Sequence, residues 1–226
     1  MLNAMAGAED RAVERAVRVA KERARDEVQL LVASGRKLLR AHGAADMTIA
    51  DVLTVAGLST RAFYRHFASK SDLLLAIYDD ELERYRPRLQ RRLDAAATPR
   101  AGLEAWIDEL LATGFEPRRG ERTRAMFTWA MPLQQEFPKE FAAARRALTE
   151  PLEGVLAAGR ADGSFPCTEP ARDARFIRAL TWALVEEHLS GAETDVASAR
   201  AEVLRCCLPA LGAVRPTGSS SSTGAT

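Results

Sequence analysis

The sequence predicts an all-α protein, and three observations support that fold class. Ala, Leu, Arg and Glu recur at helical spacing along most of the 226 residues. Alternating runs of Val, Ile and Thr bounded by turn residues, which are typical of strands, do not occur in the sequence. Proline, glycine and pairs of Ser or Thr with a following Asp mark the places where one helical pattern stops and the next begins. The chain is therefore expected to fold as consecutive helices joined by short connections.

The first predicted helix runs from Ala8 to Ala41 and ends at Gly43, where glycine tolerates a left-handed conformation. The later half has a broad apolar face. The earlier half, residues 11–25, is dense in charge, and residues 1–24 are interpreted as an N-terminal charged helical extension. Two interpretations of that extension remain, a helix lying on DNA or a solvated, fraying helix, and the pattern favours the second.

Three helix starts with consistent capping chemistry follow within 25 residues. Thr48 with Asp51 resembles a capping box at the start of a helix over Ile49–Val55. Gly57 lies in the turn, and Ser59 can cap a short helix over Thr60–Phe67. Ser69 with Asp72 opens a longer helix from Lys70 to about Leu93. Together they predict a helix-turn-helix unit over residues 25–92.

Five further helices are predicted in residues 93–213. Their ranges are Pro99–Thr113, Glu121–Gln134, Pro138–Ala161, Ala171–Ser190 and Val196–Leu211. Residues 214–226, rich in Ser, Thr and Gly, cannot bury apolar surface and are expected to be disordered.

Composition excludes several classes of protein. Hydrophobic residues make up 47% and charged residues 28%, which is ordinary for a soluble protein, and no apolar run is long enough to span a membrane. The first thirty residues show no secretory pattern, so a cytoplasmic location is expected. The cysteines, Cys167, Cys206 and Cys207, lack metal-ligand spacing, so neither a metal nor a cofactor is predicted.

The segment from Leu53 to Ala68 contains no Asp or Glu, although the chain has 31 of them. Apolar side chains there can form a small core under two helices, whereas Ser59, Thr60, Arg61, Tyr64, Arg65 and His66 form a donor-rich opposite face. Phosphate would repel carboxylates on such a face. Residues 1–70 carry twelve Lys or Arg and eight Asp or Glu, which adds weak support for a nucleic-acid partner. The alternative is a capped helical hairpin that only packs.

The segment from Thr48 to Leu74, and above all Phe63-Tyr-Arg-His-Phe67 followed by Ser69-Lys70, resembles the signature of the tetracycline-repressor (TetR) family. The chain departs from that signature at Arg61 and Ala62, which leaves its base preference open. The resemblance implies a DNA-binding head and an all-α body that binds a ligand and dimerises. It also implies that Thr48, Ser59, Tyr64, His66 and Lys70 contact the DNA backbone. Thr60 and Arg61 are the candidates for base edges, with a phosphate contact as the alternative for Arg61.

The body, residues 93–213, resembles the family only loosely. The predicted helix over Ala171–Ser190 is apolar on nearly every side, so it must be buried on more than one side. A symmetric partner can cover one of those sides. The predicted dimer interface contains Ala179, Leu180, Ala183, Leu184, Leu204 and Leu208. A pocket for a small apolar or aromatic effector is predicted from Trp106, Phe127, Met131, Trp182 and Glu186.

No catalytic motif is present, so an enzyme is not expected. The predicted function is a DNA-binding transcriptional regulator, a ligand-responsive repressor that acts as a homodimer on a palindromic double-stranded operator. The alternative is a helical protein-interaction adaptor that does not bind DNA.

Overall fold

The computed structural model describes residues 2–213, with side chains for residue 7 and residues 9–213. The predicted disordered tail lies outside the described residues. Within them the chain is all-α, as predicted, and it forms nine helices and no strand. The helices are α1 (Leu2–Asp46), α2 (Ile49–Ala56), α3 (Thr60–His66), α4 (Lys70–Asp94), α5 (Pro99–Phe115), α6 (Pro117–Glu136), α7 (Pro138–Ala161), α8 (Pro170–Leu189) and α9 (Val196–Ala210). None of these described helices combines the length and hydrophobicity needed to cross a bilayer.

The start of α6 differs from the prediction. The helix begins at Pro117 rather than at Glu121, because Pro117 occupies a first-turn position where an N–H would have no intrahelical partner. The Glu116 carbonyl accepts the N–H groups of Arg119 and Gly120 at 3.0 and 2.7 Å. The connection between α5 and α6 is therefore shorter than predicted.

The described chain divides into two compact units. Unit 1 comprises the residues up to Glu81 together with Thr128–Glu136, and unit 2 comprises Leu82–Phe127 and the residues from Phe137 onward. Helix α4 runs continuously through Glu81, so the backbone marks no boundary there. The domain limits predicted from the sequence stay a prediction.

In unit 1, α1 packs against α2 and α3. Gly43 interrupts α1 with φ 77° and ψ 173°, a positive φ that favours glycine, as predicted. Gly35 allows a close approach to α4, because a Cβ at this position would lie 2.8 Å from Cδ1 of Ile77. The fully buried side chains of this unit include Leu31, Met47, Val52, Phe63, Leu73 and Ile77.

In unit 2, α5 packs against α7, α8 and α9, and α8 also packs against α7 and α9. The core between these helices includes Trp106, Ile107, Leu152, Val185 and Val203. Burying one side chain of this size contributes about 1.5–3 kcal/mol. Helix α8 is apolar on most of its sides. The structure explains this, because α8 packs against α5, α7 and α9.

Candidate nucleic-acid interface

The α2–α3 hairpin is fixed by local hydrogen bonds. The Asp51 N–H donates to Thr48 Oγ1 at 3.2 Å and the Thr48 N–H donates to Asp51 Oδ2 at 3.1 Å, which completes the predicted capping box. Hydrogen bonds from Thr48 hold the pKa of Asp51 below its usual range. Gly57 ends α2 in the left-handed conformation, with φ 65° and ψ 30°. The turn therefore has a defined geometry that sets the direction of α3.

Helix α3 has one buried side. The predicted cap is present, since the Ala62 N–H donates to Ser59 Oγ at 3.2 Å. Ala62 and Phe63 are buried, and the rings of Phe63 and Phe67 lie 5.6 Å apart between centroids. This apolar contact anchors α3 on the unit and leaves its other side to solvent.

The exposed side of α3 carries hydroxyl and guanidinium groups. Thr60 and Arg61 are exposed in its first turn, and Tyr64 is 58% exposed one turn later. Arg61 forms no ion pair with any residue in the described part of the chain. The surface thus presents hydrogen-bond donors to solvent.

A buried carboxylate from α1 lies at the other end of α3. The His66 Nε2–H donates to Glu27 Oε2 at 2.8 Å, and Arg65 lies 3.2 Å from the same oxygen. The bond from His66 is the main reason that the pKa of Glu27 lies below its usual value, with Arg23 and Arg65 acting in the same direction. The acid-free segment of the sequence thus has an acid beside it in space, contributed by α1.

Three of the predicted DNA-backbone contacts already have partners within the protein. The Lys70 ammonium donates to the Ala44 carbonyl oxygen at 2.6 Å, and the His66 side chain is only 10% exposed. The Thr48 hydroxyl donates to Asp51 Oδ2 at 2.6 Å, so it too is engaged. A contact of these three residues with DNA stays a prediction, and the geometry gives each of them a structural role.

Residues 31–77 match the family described as bacterial regulatory proteins, tetR family. These residues cover the end of α1, all of α2 and α3 and the start of α4, so the matched segment is the one that contains the helix-turn-helix. The chain is a DNA-binding transcriptional regulator, as the sequence predicted.

The regulator is also similar to a transcriptional repressor in sequence and to solved regulator structures in fold. The HTH-type transcriptional repressor KstR2 of Rhodococcus jostii is 26% identical over 188 residues, covering 77% of this chain and 85% of that protein. A TetR transcription regulator from Haloarcula marismortui has the same fold, with a TM-score of 0.64, 22% identity, and coverage of 80% of this chain and 96% of the other. FadR from Bacillus subtilis, solved in complex with stearoyl-CoA, has a TM-score of 0.58, 15% identity, and coverage of 80% and 98%.

The predicted effector residues of the regulator fall into different environments. Phe127 and Trp182 have ring centroids 5.5 Å apart, and the Trp182 Nε1–H donates to Glu186 Oε1 at 2.8 Å. Trp106 is a core residue whose Nε1–H donates to the Leu148 carbonyl at 3.2 Å. Met131 is exposed. The structure thus brings together three of the five residues, and the pocket stays a prediction.

The predicted dimer residues need a correction. Leu184 and Leu204 are buried inside unit 2, so they are not available to a partner, because both point into the core of their own chain. Ala179 and Ala183 are exposed, and Leu180 and Leu208 are half-buried. The interface itself stays a prediction.

The sequence did not single out Phe176, which is 64% exposed on α8 and lines a cavity of about 250 Å³ between α8 and α9. A large aromatic side chain near the start of an apolar helix was the signal that could have found it. Glu27 was also missed, and no local pattern marks it, because its partner His66 is distant in sequence.

Proposed function

We propose that this regulator is a repressor that acts as a homodimer on a palindromic operator, and that a small effector lowers its affinity for that operator. The observation that supports DNA recognition best is the outward face of α3, where Thr60, Arg61 and Tyr64 are exposed on a helix anchored by the buried Phe63. A helix held in this way can enter the major groove without losing its own packing.

The proposed roles of the helix-turn-helix residues follow from the chemistry of their side chains. Arg61 is assigned to a base edge, since a guanidinium without an ion pair in the described chain can donate a bidentate pair to guanine. Ser59 and Tyr64, which are exposed hydroxyl groups, are assigned to phosphate. Thr48, His66 and Lys70 position the hairpin through the intramolecular bonds described above. Phosphate contacts set the register of α3, and Arg61 supplies sequence preference.

The homodimer is proposed to place two copies of α3 in successive major grooves, about 34–36 Å apart. The exposed apolar side chains of α8 and α9, with Phe176 the most exposed, are the proposed contact between copies. A pair related by two-fold symmetry recognises a palindrome, because each copy reads the same half-site.

The decisive experiment is selection of duplexes from a random pool by the full-length protein. We expect a palindrome whose half-site centres lie about one helical turn, or a multiple of it, apart. The Arg61→Ala variant should lose preference at one base pair of each half-site, whereas Arg122→Ala, an exposed arginine of α6, should select the same sequences as the wild type. Unrelated sequences from the wild-type selection would refute operator recognition by α3.

The effector is proposed to be an apolar or aromatic small molecule that contacts Phe127, Trp182 and Glu186. These residues form a contiguous aromatic and polar group in unit 2. The FadR complex with stearoyl-CoA supports the idea that this fold accommodates a small ligand. An effector acts only through different affinities for the free and the DNA-bound protein. A molecule that binds both forms equally would not be the effector.

A further inference from the structure

A basic cleft lies between α7 and α8 in unit 2. It has a volume of about 720 Å³ and is open to solvent. Six of the residues that line it are arginines and only two, Glu153 and Glu169, are acidic. The arginines are Arg145, Arg146, Arg160, Arg172, Arg175 and Arg178. The whole chain has a net charge of only +1, so a local excess of four positive charges is unusual for it.

Most of this positive charge is not compensated by neighbouring carboxylates. Arg172 pairs with Glu169 at 2.9 Å and with Asp173 at 3.0 Å. Four other arginines form no ion pair among the described residues, and these are Arg145, Arg146, Arg160 and Arg175. Clustered like charges destabilise a folded chain unless an anion balances them. The cleft therefore has the electrostatics of an anion site.

The first turn of α8 adds to the same potential. Pro170 and Ala171 line the cleft, and α8 begins without a side-chain hydrogen bond to cap it. The positive end of the helix dipole favours anions at this position. The Asp173 carboxylate in the same turn accepts the Glu169 N–H at 2.7 Å and offsets part of this potential, so the arginines supply most of the positive charge of the cleft.

The arginines stand in closely spaced groups, which suits a ligand with neighbouring anionic groups. Arg145 and Arg146 are adjacent on α7, and Arg172, Arg175 and Arg178 follow one another at about 4.5 Å along α8, at the rise of an α-helix. A guanidinium binds phosphate through two parallel hydrogen bonds, which makes arginine suited to phosphate groups. The cleft volume lies within the range of small-molecule sites, about 300–1,000 Å³.

We propose that the α7–α8 cleft binds a small molecule that carries a diphosphate group. Free nucleoside diphosphates and nucleotide-type carriers such as coenzyme A share this chemistry. The two phosphates are held by arginines of both helices, with Arg145 and Arg175 the principal ligands. This site is separate from the aromatic effector residues proposed above, and its occupancy does not depend on operator recognition.

Calorimetric titration of the full-length protein tests the proposal, with ADP, coenzyme A and AMP as probes. We expect saturable binding of ADP or coenzyme A, with AMP at least about tenfold weaker because it lacks the second phosphate. Tighter binding of one of the first two identifies the source of the diphosphate. The double variant Arg145→Ala/Arg175→Ala should bind at least about tenfold more weakly than the wild type.

Two further variants control for non-specific effects. Arg118→Ala removes an exposed arginine outside the cleft and should bind as the wild type does. Arg175→Lys keeps the charge but loses the fork of donors, so its affinity should lie between those of the wild type and the double variant. Circular dichroism checks that each variant keeps its helical content.

Several results would overturn the proposal. These are the absence of saturable binding of both diphosphates, AMP binding as tightly as ADP, or equal affinity of the double variant and the wild type. Loss of duplex DNA binding in the double variant without any nucleotide binding would assign the cleft to DNA instead. A change in self-association without nucleotide binding would assign it to a second copy of the chain.

Discussion

The Glu27 carboxylate of α1 accepts a hydrogen bond from the His66 ring at the end of α3, with 2.8 Å between Oε2 and Nε2. Glu27 is buried, and Arg65 approaches the same oxygen. The last turn of α3 is thus tied to α1 by one carboxylate, in addition to the apolar contact of Phe63. The orientation of the DNA-binding surface therefore depends on a residue that does not itself face solvent.

Replacement of Glu27 should weaken DNA binding without removing any group from the exposed surface. Glu27→Gln loses the charge that Arg65 and His66 share, so we expect operator affinity to fall several-fold and the thermal midpoint to fall with it. Fluorescence anisotropy with the selected operator measures the first effect. Glu22→Gln, an exposed position on α1, is the matched control and should change neither quantity.

The contribution of Glu27 to stability should depend on pH. Its pKa in the folded protein lies below the ordinary value of 4.5, chiefly because of the His66 hydrogen bond. Because the pKa of Glu27 is lower in the folded protein than in the unfolded chain, the ionised carboxylate stabilises the fold. This stabilisation is fully present above pH 4.5 and is lost as the pH falls through the pKa of the folded state. The difference in unfolding free energy between wild type and Glu27→Gln should therefore be present at neutral pH and absent in strong acid. A difference that persists unchanged in urea titrations at both pH values would contradict this origin.

Two glycine-to-alanine substitutions should have opposite signs. Gly57 has φ 65°, and a Cβ there meets no atom within 4 Å, so alanine costs only the left-handed conformation, about 1–2 kcal/mol. Gly154 lies inside α7, where a Cβ likewise meets no atom within 4 Å, so alanine should stabilise by about 0.5–1 kcal/mol. Chemical denaturation of both variants measures the two changes. If the unfolding free energy changed in the same direction in both variants, packing rather than backbone conformation would determine the effect at one of the two positions.

The sequence predicted the parts of the site that depend on near neighbours. The caps formed by Thr48 with Asp51 and by Ser59 with Ala62 join residues three positions apart, so their chemistry can be recognised without the fold. The partners of His66 and Lys70 lie 39 and 26 positions away. Such pairs exist only once tertiary packing is known, so both side chains were assigned to DNA by pattern alone.

The same reasoning explains the outcome for α8. An apolar helix must be covered on several sides, but its sequence does not state which residues face the core of the chain and which face a partner. Leu184 faces inward, whereas Phe176 faces outward. For α6 the sequence did contain the signal for the true start of the helix, since Pro117 suits a first helical turn. The predicted start at Glu121 overlooked it.

The exposed aromatic side chain of α8 should determine the oligomeric state. Phe176 is 64% exposed beside the half-buried Leu180, so a charge there would be desolvated in the proposed dimer. We expect Phe176→Glu to weaken self-association by at least about tenfold in sedimentation equilibrium. Val13→Glu places the same charge at another exposed apolar position, on α1 and outside the proposed interface, and should associate as the wild type does. Equal association of all three proteins would place the interface elsewhere.

The three cysteines should differ in their rates of alkylation. The rate at Cys206 reports on the surface between α8 and α9 that Phe176 also lines. Burial raises the pKa of the Cys207 thiol to about 11, so at pH 8 only about one molecule in a thousand carries its thiolate, the form that reacts. Cys206 and Cys167 are exposed in the single chain, but Cys206 lines the same cavity as Phe176.

We expect iodoacetamide to modify Cys167 rapidly and to spare Cys207 in the native wild type. Cys206 should react slowly in the wild-type dimer and rapidly in Phe176→Glu, because the proposed partner covers it. Peptide mass spectrometry after timed quenching resolves the sites, and Cys167 serves as the internal control. Rapid modification of Cys207 would contradict its burial. Equal rates at Cys206 in both proteins would show that no partner covers the surface between α8 and α9.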